Sequence, residues 1–220
     1  GTGVLISGGT VVFSSSGAIT DNTGFAVDID NHDSGNVTFS GNITSTGTGI
    51  RVQNCGGGTK TFSGSSKSLT TTTNNAVSLL SNTGATITFS NGGLVISTTS
   101  GTGFNATGGA SGITVTGSGN TITSGTGTAL NVANSNIGSG NLNFQSIAAN
   151  GGTNGIVLNT TGSSGGLTVT GTGTTDGSGG TIQNTTNRGA NFISAVNISL
   201  KNMNFTNAGT SDLDADNSGL

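Results

Sequence analysis

Short apolar-polar-apolar triplets recur along the whole chain. Val11-Val12-Phe13 opens the series. Val37-Thr38-Phe39, Ile87-Thr88-Phe89, Ile113-Thr114-Val115, Leu142-Asn143-Phe144, Leu167-Thr168-Val169 and Ile198-Ser199-Leu200 follow, with Thr61-Phe62 between the second and third. Successive triplet ends, from Phe13 to Leu200, are 26, 23, 27, 26, 29, 25 and 31 residues apart. Alternation of period two puts neighbouring residues on opposite faces of a strand. A second apolar run precedes most triplets, as in Phe25-Ala26-Val27-Asp28-Ile29 and Leu130-Asn131-Val132. A third apolar position follows, at Ile19, Ile43, Leu69, Val95 or Ile96, Ile122, Ile147, Ile182 and Phe205. Each period thus predicts three short strands, separated by Gly, Asn, Ser and Thr, residues that tolerate tight turns.

Strands of three to five residues are not stable as isolated hairpins. Stacked in parallel on their equivalents in the next period, they pair every backbone group and align the inward side chains in columns. The predicted fold is all-β: a right-handed parallel β-helix, or β-solenoid, of about eight coils with three short strands per coil. It forms a single domain over residues 1–220, and its handedness follows from the crossover rule. At ~4.8 Å per coil it would be roughly 38 Å long. Phe13, Phe39, Phe62, Phe89 and Phe144 fall on inward positions and are expected to fill the core. Two residues break the pattern. Lys60 stands where Val37 and Ile87 point inward, so that strand is expected to begin at Thr61, with the Lys60 head in solvent. Leu80 would face outward, which marks a site for a bulge. Asn31, Asn54, Asn82, Asn134 and Asn159 each close the first strand of a coil. They suit left-handed corners, and their stacked amides could form a hydrogen-bonded ladder; the plain abundance of Asn is the other explanation.

Gly, Ser, Thr and Asn make up 138 of the 220 residues, and Pro, Trp, Tyr and Glu are absent. That excludes a helical protein, which needs strong helix formers, and collagen, which needs Pro. Net charge is −3 with five basic residues, too few to neutralise a run of phosphates, so no nucleic-acid partner is expected. No apolar stretch is long enough to insert into a membrane as a helix. Cys55 is alone, so no intrachain disulfide can form.

The triplets and the low-complexity Gly/Thr/Asn/Ser repeats resemble the pectin-lyase-like right-handed parallel β-helix superfamily. More narrowly, they are similar to the strand-repeat regions of large bacterial surface and secreted proteins, the adhesin-type proteins and autotransporter passengers. The resemblance covers the whole chain, rests on pattern and composition, and carries over no functional residue. It implies an extracellular or cell-surface location and a structural or adhesive role as a stiff stalk or spacer; no enzyme activity is expected from the residues themselves. The partners it implies are a host or matrix surface and the neighbouring coils of a longer parent protein. Residues 1–220 show no terminal cap and are expected to be an excerpt of that array.

Three clusters carry candidate chemistry. Asp28 and Asp30 project outward about 6.6–7 Å apart, a spacing that could serve glycoside hydrolysis or calcium. Arg51, 23 residues on, would lie over Asp28 and turn it into an exposed ion pair. A polysaccharide-active lyase or hydrolase fragment is the alternative function, but Trp and Tyr platforms are missing and the basic residues are scattered. His32 is the only histidine, so a His-based triad or zinc cluster lacks partners. Asp212, Asp214 and Asp216 resemble the start of a calcium loop, although Asn217 replaces the sixth-position Gly and the twelfth position lies beyond Leu220. A solvated acidic insert is the favoured explanation of them, and no cofactor other than calcium is expected. Thr38, Thr61, Thr88, Thr114 and Thr168 form an outward hydroxyl face similar to ice-binding surfaces, a third functional option. It is interrupted by Asn143 and Ser199.

Overall fold

The computed structural model describes residues 1–206. Its strands assemble into three parallel sheets of eight strands each, and consecutive members of a sheet are always three strands apart in the chain. The first sheet runs from Val4–Ser7 to Arg188–Ile193, the second from Phe13–Ser15 to Ser199–Leu200, and the third from Ile19–Asp21 to Asn204–Thr206. This is a parallel β-solenoid of eight coils. The second coil comprises Phe25–Asp30, Val37–Phe39 and Ile43–Ser45, the third Gly49–Gln53, Thr59–Phe62 and Lys67–Thr71, and the fourth Val77–Leu80, Thr86–Phe89 and Leu94–Thr98.

Inward residues of the strands form one continuous core that extends from Ile6 to Ala190, with Leu200 and Phe205 of the last coil packed half-buried against it. Stacked Phe rings form its spine. Phe39 and Phe62 are stacked at 5.6 Å, and Phe62 and Phe89 at 4.8 Å. Val115 stands over Phe89 in the second sheet, so the aromatic series continues from the opposite wall. There Phe104 meets Phe89 edge-on at 5.8 Å and Phe144 at 6.4 Å.

Register departs from the expected alignment at several points. Phe13 pairs with Val37 and Ser15 with Phe39, so the first triplet is displaced by two residues. Val11 and Val12 then lie outside the strand, and Val12 is 73% exposed. A shift of two keeps Phe13 on the inward face, tilted against Phe39 at 5.5 Å. In the third sheet Ile43 pairs with Lys67 and Ser45 with Leu69. In the second, Ile113 pairs with Ile137 and Val115 with Leu142, and residues 138–141 are looped out between them. Of Val95 and Ile96, Ile96 faces the core.

The expectation for Lys60 is overturned. Its strand begins at Thr59, Lys60 pairs with Val37 and Ile87, and the residue is 0% exposed. Acceptors inside the corner replace solvent around its head. Leu80 does face outward, half-buried, but its strand keeps regular register with both neighbours. Bulges lie instead between Phe25 and Val27 and between Ile113 and Val115.

The corner after the first strand has a fixed construction. Asn31, Asn54 and Asn134 adopt φ of 55°, 55° and 50°. Each sends its N–H to the last carbonyl of the strand in the next coil: Asn31 to Gln53, Asn54 to Leu80, Asn134 to Asn159. In the fourth and seventh coils that conformation belongs to Ser81, one residue before the expected Asn82, and to Thr160, one residue after the expected Asn159. The backbone dictates the corner and Asn is only its commonest occupant. The five amides do not hydrogen-bond to one another. Asn54 Nδ2 reaches Asp30 Oδ1 at 3.2 Å, and buried Asn82 bonds to Cys55 N and Val52 O.

Candidate functional site

On the outer face of the first sheet, parallel register places Arg51 over Asp28. Arg51 Nε and Nη2 donate to Asp28 Oδ1 and Oδ2 at 2.8 and 2.7 Å, a two-pronged pair. The guanidinium also lies 4.4 Å from the Phe25 ring centroid. Asp28 is 5% exposed, less than the exposed pair expected from the sequence, with the Arg51 guanidinium bonded to both its oxygens. The hydrogen bonds to Asp28 hold the Arg51 pKa above its ordinary value. Such a partly covered pair contributes on the order of 1 kcal/mol. With Asp28 engaged on both oxygens, the two acids are not left as a free carboxylate pair.

The hydroxyl face is in register. Ser14, Thr38, Thr61, Thr88 and Thr114 pair coil to coil in one outward column. Thr114 Oγ1 donates to Thr88 Oγ1 at 3.2 Å. The bulge at 138–141 within strand Ile137–Phe144 interrupts the column; Asn143, Thr168 and Ser199 continue it beyond. Beside that break lies an open cleft of about 320 Å³ lined by Gly117, Ser118, Gly119, Asn143, Gln145 and Thr170 among others. Its lining offers hydroxyls and amides and no acid or base.

The densest polar chemistry is inside the tube. His32, Cys55 and Lys60 are all buried at the corner between the first and second sheets. His32 Nε2 lies 2.9 Å from Val11 O, and a carbonyl only accepts, so Nε2 carries the ring proton. Nδ1 is then free to accept from Lys60 Nζ at 2.9 Å. Lys60 places its other two protons on Gly35 O at 3.0 Å and Gly57 O at 2.8 Å. Burial lowers the pKa of Lys60, and burial together with the nearby Lys60 charge lowers that of His32. Burial raises that of the Cys55 thiol.

Lys67 is the second inward lysine of the same coil, stacked on Ile43 and under Leu94. It is 0% exposed. Nζ donates to Gly64 O, to Ser90 O at 2.9 Å and to Gly92 O at 2.7 Å. The corner that supplies two of these carbonyls is unusually tight. Asn91, Gly92 and Gly93 all have positive φ, and a Cβ on Gly92 would sit 2.0 Å from Ser118 O. Three consecutive left-handed residues turn carbonyls inward where no strand amide can reach, and an ammonium with three protons satisfies them. Burial pushes the Lys67 pKa down to about 8.

Among the described residues no group of three His, Cys, Asp or Glu side chains is placed to hold a metal ion. Asp212, Asp214 and Asp216 lie outside the described residues. The missed residues had a visible signal: Lys60 is two before Phe62 and Lys67 two before Leu69, so alternation places both lysines inward.

No family model, no curated protein and no solved structure matches the chain.

Proposed function

We propose that this chain is a structural segment of a secreted or cell-surface bacterial protein, a stiff stalk or spacer built as a pectin-lyase-like β-helix. The observation that carries this is the continuity of all three parallel ladders through eight coils, with a single core beneath them. Each coil is held by backbone hydrogen bonds to both neighbours, so load along the axis is shared by many bonds. The outer faces present mainly small hydroxyl and amide side chains, suited to solubility and to weak, distributed contact with a host or matrix surface. On the outer face of the first sheet, Asp28 is tied up by Arg51. Pulled from its ends in single-molecule force spectroscopy, the segment should yield in steps of one coil's contour length. Collapse in one low-force event would overturn the stalk assignment. Release of reducing ends or unsaturated products from polyuronates would favour the lyase or hydrolase alternative.

The in-register Thr38–Thr61–Thr88–Thr114 column favours a second reading, an ice-ordering face, because strand spacing repeats hydroxyls at about 4.8 Å. Thermal hysteresis at micromolar protein, weakened by Thr88→Lys, is the expected result. No hysteresis removes it.

A further inference from the structure

The His32–Lys60 contact joins two titratable side chains in the core and serves neither the outer faces nor the ladders. The four protons concerned are fully assigned: one on His32 Nε2 to Val11 O, three on Lys60 Nζ to His32 Nδ1, Gly35 O and Gly57 O. These bonds tie together three coils. Val11 belongs to the first, His32 and Gly35 to the second, Gly57 and Lys60 to the third. The groups around the pair are accounted for. The first coil contributes only the Val11 carbonyl. The third contributes Cys55, whose thiol donates to Gln53 O at 3.4 Å. Asp33, next in sequence to His32, and Asp30 act only as nearby charges, and neither carboxylate bonds to the ring or the amine.

We propose that His32 and Lys60 form an acid-released latch, in which protonation of His32 opens the corner that joins the first three coils. A proton arriving on Nδ1 turns the acceptor of the Lys60 bond into a donor. Two donors and two positive charges would then face each other at 2.9 Å inside the core. Rotating the ring gives no escape, because the nitrogen facing Val11 O must also keep its proton. His32 must therefore leave, and with it goes the side-chain tie on the exposed Val11–Val12 segment. The backbone bonds Asp33 N to Gly9 O and Phe13 N to Asn36 O remain as the hinge of the opened corner.

His32 is the only histidine in the chain, so its imidazole resonances can be followed without ambiguity. In the wild type, the Cε1–H resonance should titrate below the ordinary histidine range. Amide exchange around residues 9–13, 31–36 and 55–60, corrected for intrinsic rate, should accelerate about tenfold for each unit by which that titration is depressed, as pH falls below about 6.5. His32→Gln offers an amide donor and acceptor that do not titrate, and should abolish the acceleration. Lys60→Met should move the His32 titration back toward its ordinary value. A wild-type His32 that titrates without faster exchange at this corner would overturn the latch. So would acid acceleration of equal size in His32→Gln. If His32→Gln fails to fold, the wild-type titration and exchange decide alone.

Discussion

Phe62→Ala should cost about 3–5 kcal/mol of stability, read as a lower denaturant midpoint. The ring is fully buried and stacked between two others, at 5.6 Å from Phe39 and 4.8 Å from Phe89. Removing it strips contacts from both neighbours and leaves a hole that strands fixed by ladders above and below cannot close. Phe13 is the internal control. It is only half-buried and touches one ring of the column, so Phe13→Ala should cost clearly less. A loss below about 1 kcal/mol for Phe62→Ala would mean that the rings do not form a common spine.

Stability should rise with pH between about 8 and 10.4, and Lys67 should be a main cause. Its folded pKa is about 8, against about 10.4 for a lysine in the unfolded chain. Below pH 8 both states hold the proton and the folded state carries the full desolvation penalty. Between the two values the unfolded state binds more protons, so raising pH favours folding; above 10.4 both are neutral and the gain levels off. The full window corresponds to about 3 kcal/mol. Lys60 is lowered in the same direction, whereas the raised Cys55 thiol opposes the rise above about 8.5, where the unfolded thiol ionises first, so the test is the difference between the wild type and Lys67→Met across this range. Lys67→Met should lose much of the rise. At pH 7 it should nonetheless be less stable than the wild type. Gly64 O, Ser90 O and Gly92 O would be stranded, and each orphaned carbonyl costs about 1–3 kcal/mol. Melting curves at pH 7 to 10.5 check both statements. Identical pH profiles in the wild type and Lys67→Met would refute the buried-ammonium account.

The fold was legible because alternation and a period near 26 residues are strong signals, and inward positions such as Val37, Phe39, Ile87 and Phe89 follow directly from them. The misplacements share one physical origin. A two-residue slip leaves every side chain on its original face, so pattern alone cannot separate Phe13 opposite Phe39 from Phe13 opposite Val37, or Leu69 opposite Ile43 from Lys67 opposite Ile43. The interior lysines were hidden by a sound general rule, that lysine stays outside unless paired. Their partners here are carbonyls aimed inward by left-handed corner residues, and a hydropathy pattern carries no trace of backbone direction. The Arg51–Asp28 pair was readable because one coil length separates the two residues. The histidine latch was not, since it depends on which way a corner turns.

Lys60 takes carbonyl and imidazole partners from the second coil, and Lys67 takes carbonyls from the fourth. The third coil is therefore bolted to both neighbours by ammonium groups that occur nowhere else in the described core. This bears on how a monotonous chain finds its order. Columns of Val, Ile and Leu would accept a coil threaded one place too early or too late with little complaint. A misthreaded third coil would instead leave each ammonium in an oily tube with only the carbonyl of its own coil, Gly57 O or Gly64 O, in place of three acceptors. The two lysines thus act as an address, marking one turn of the winding as distinct from all the others.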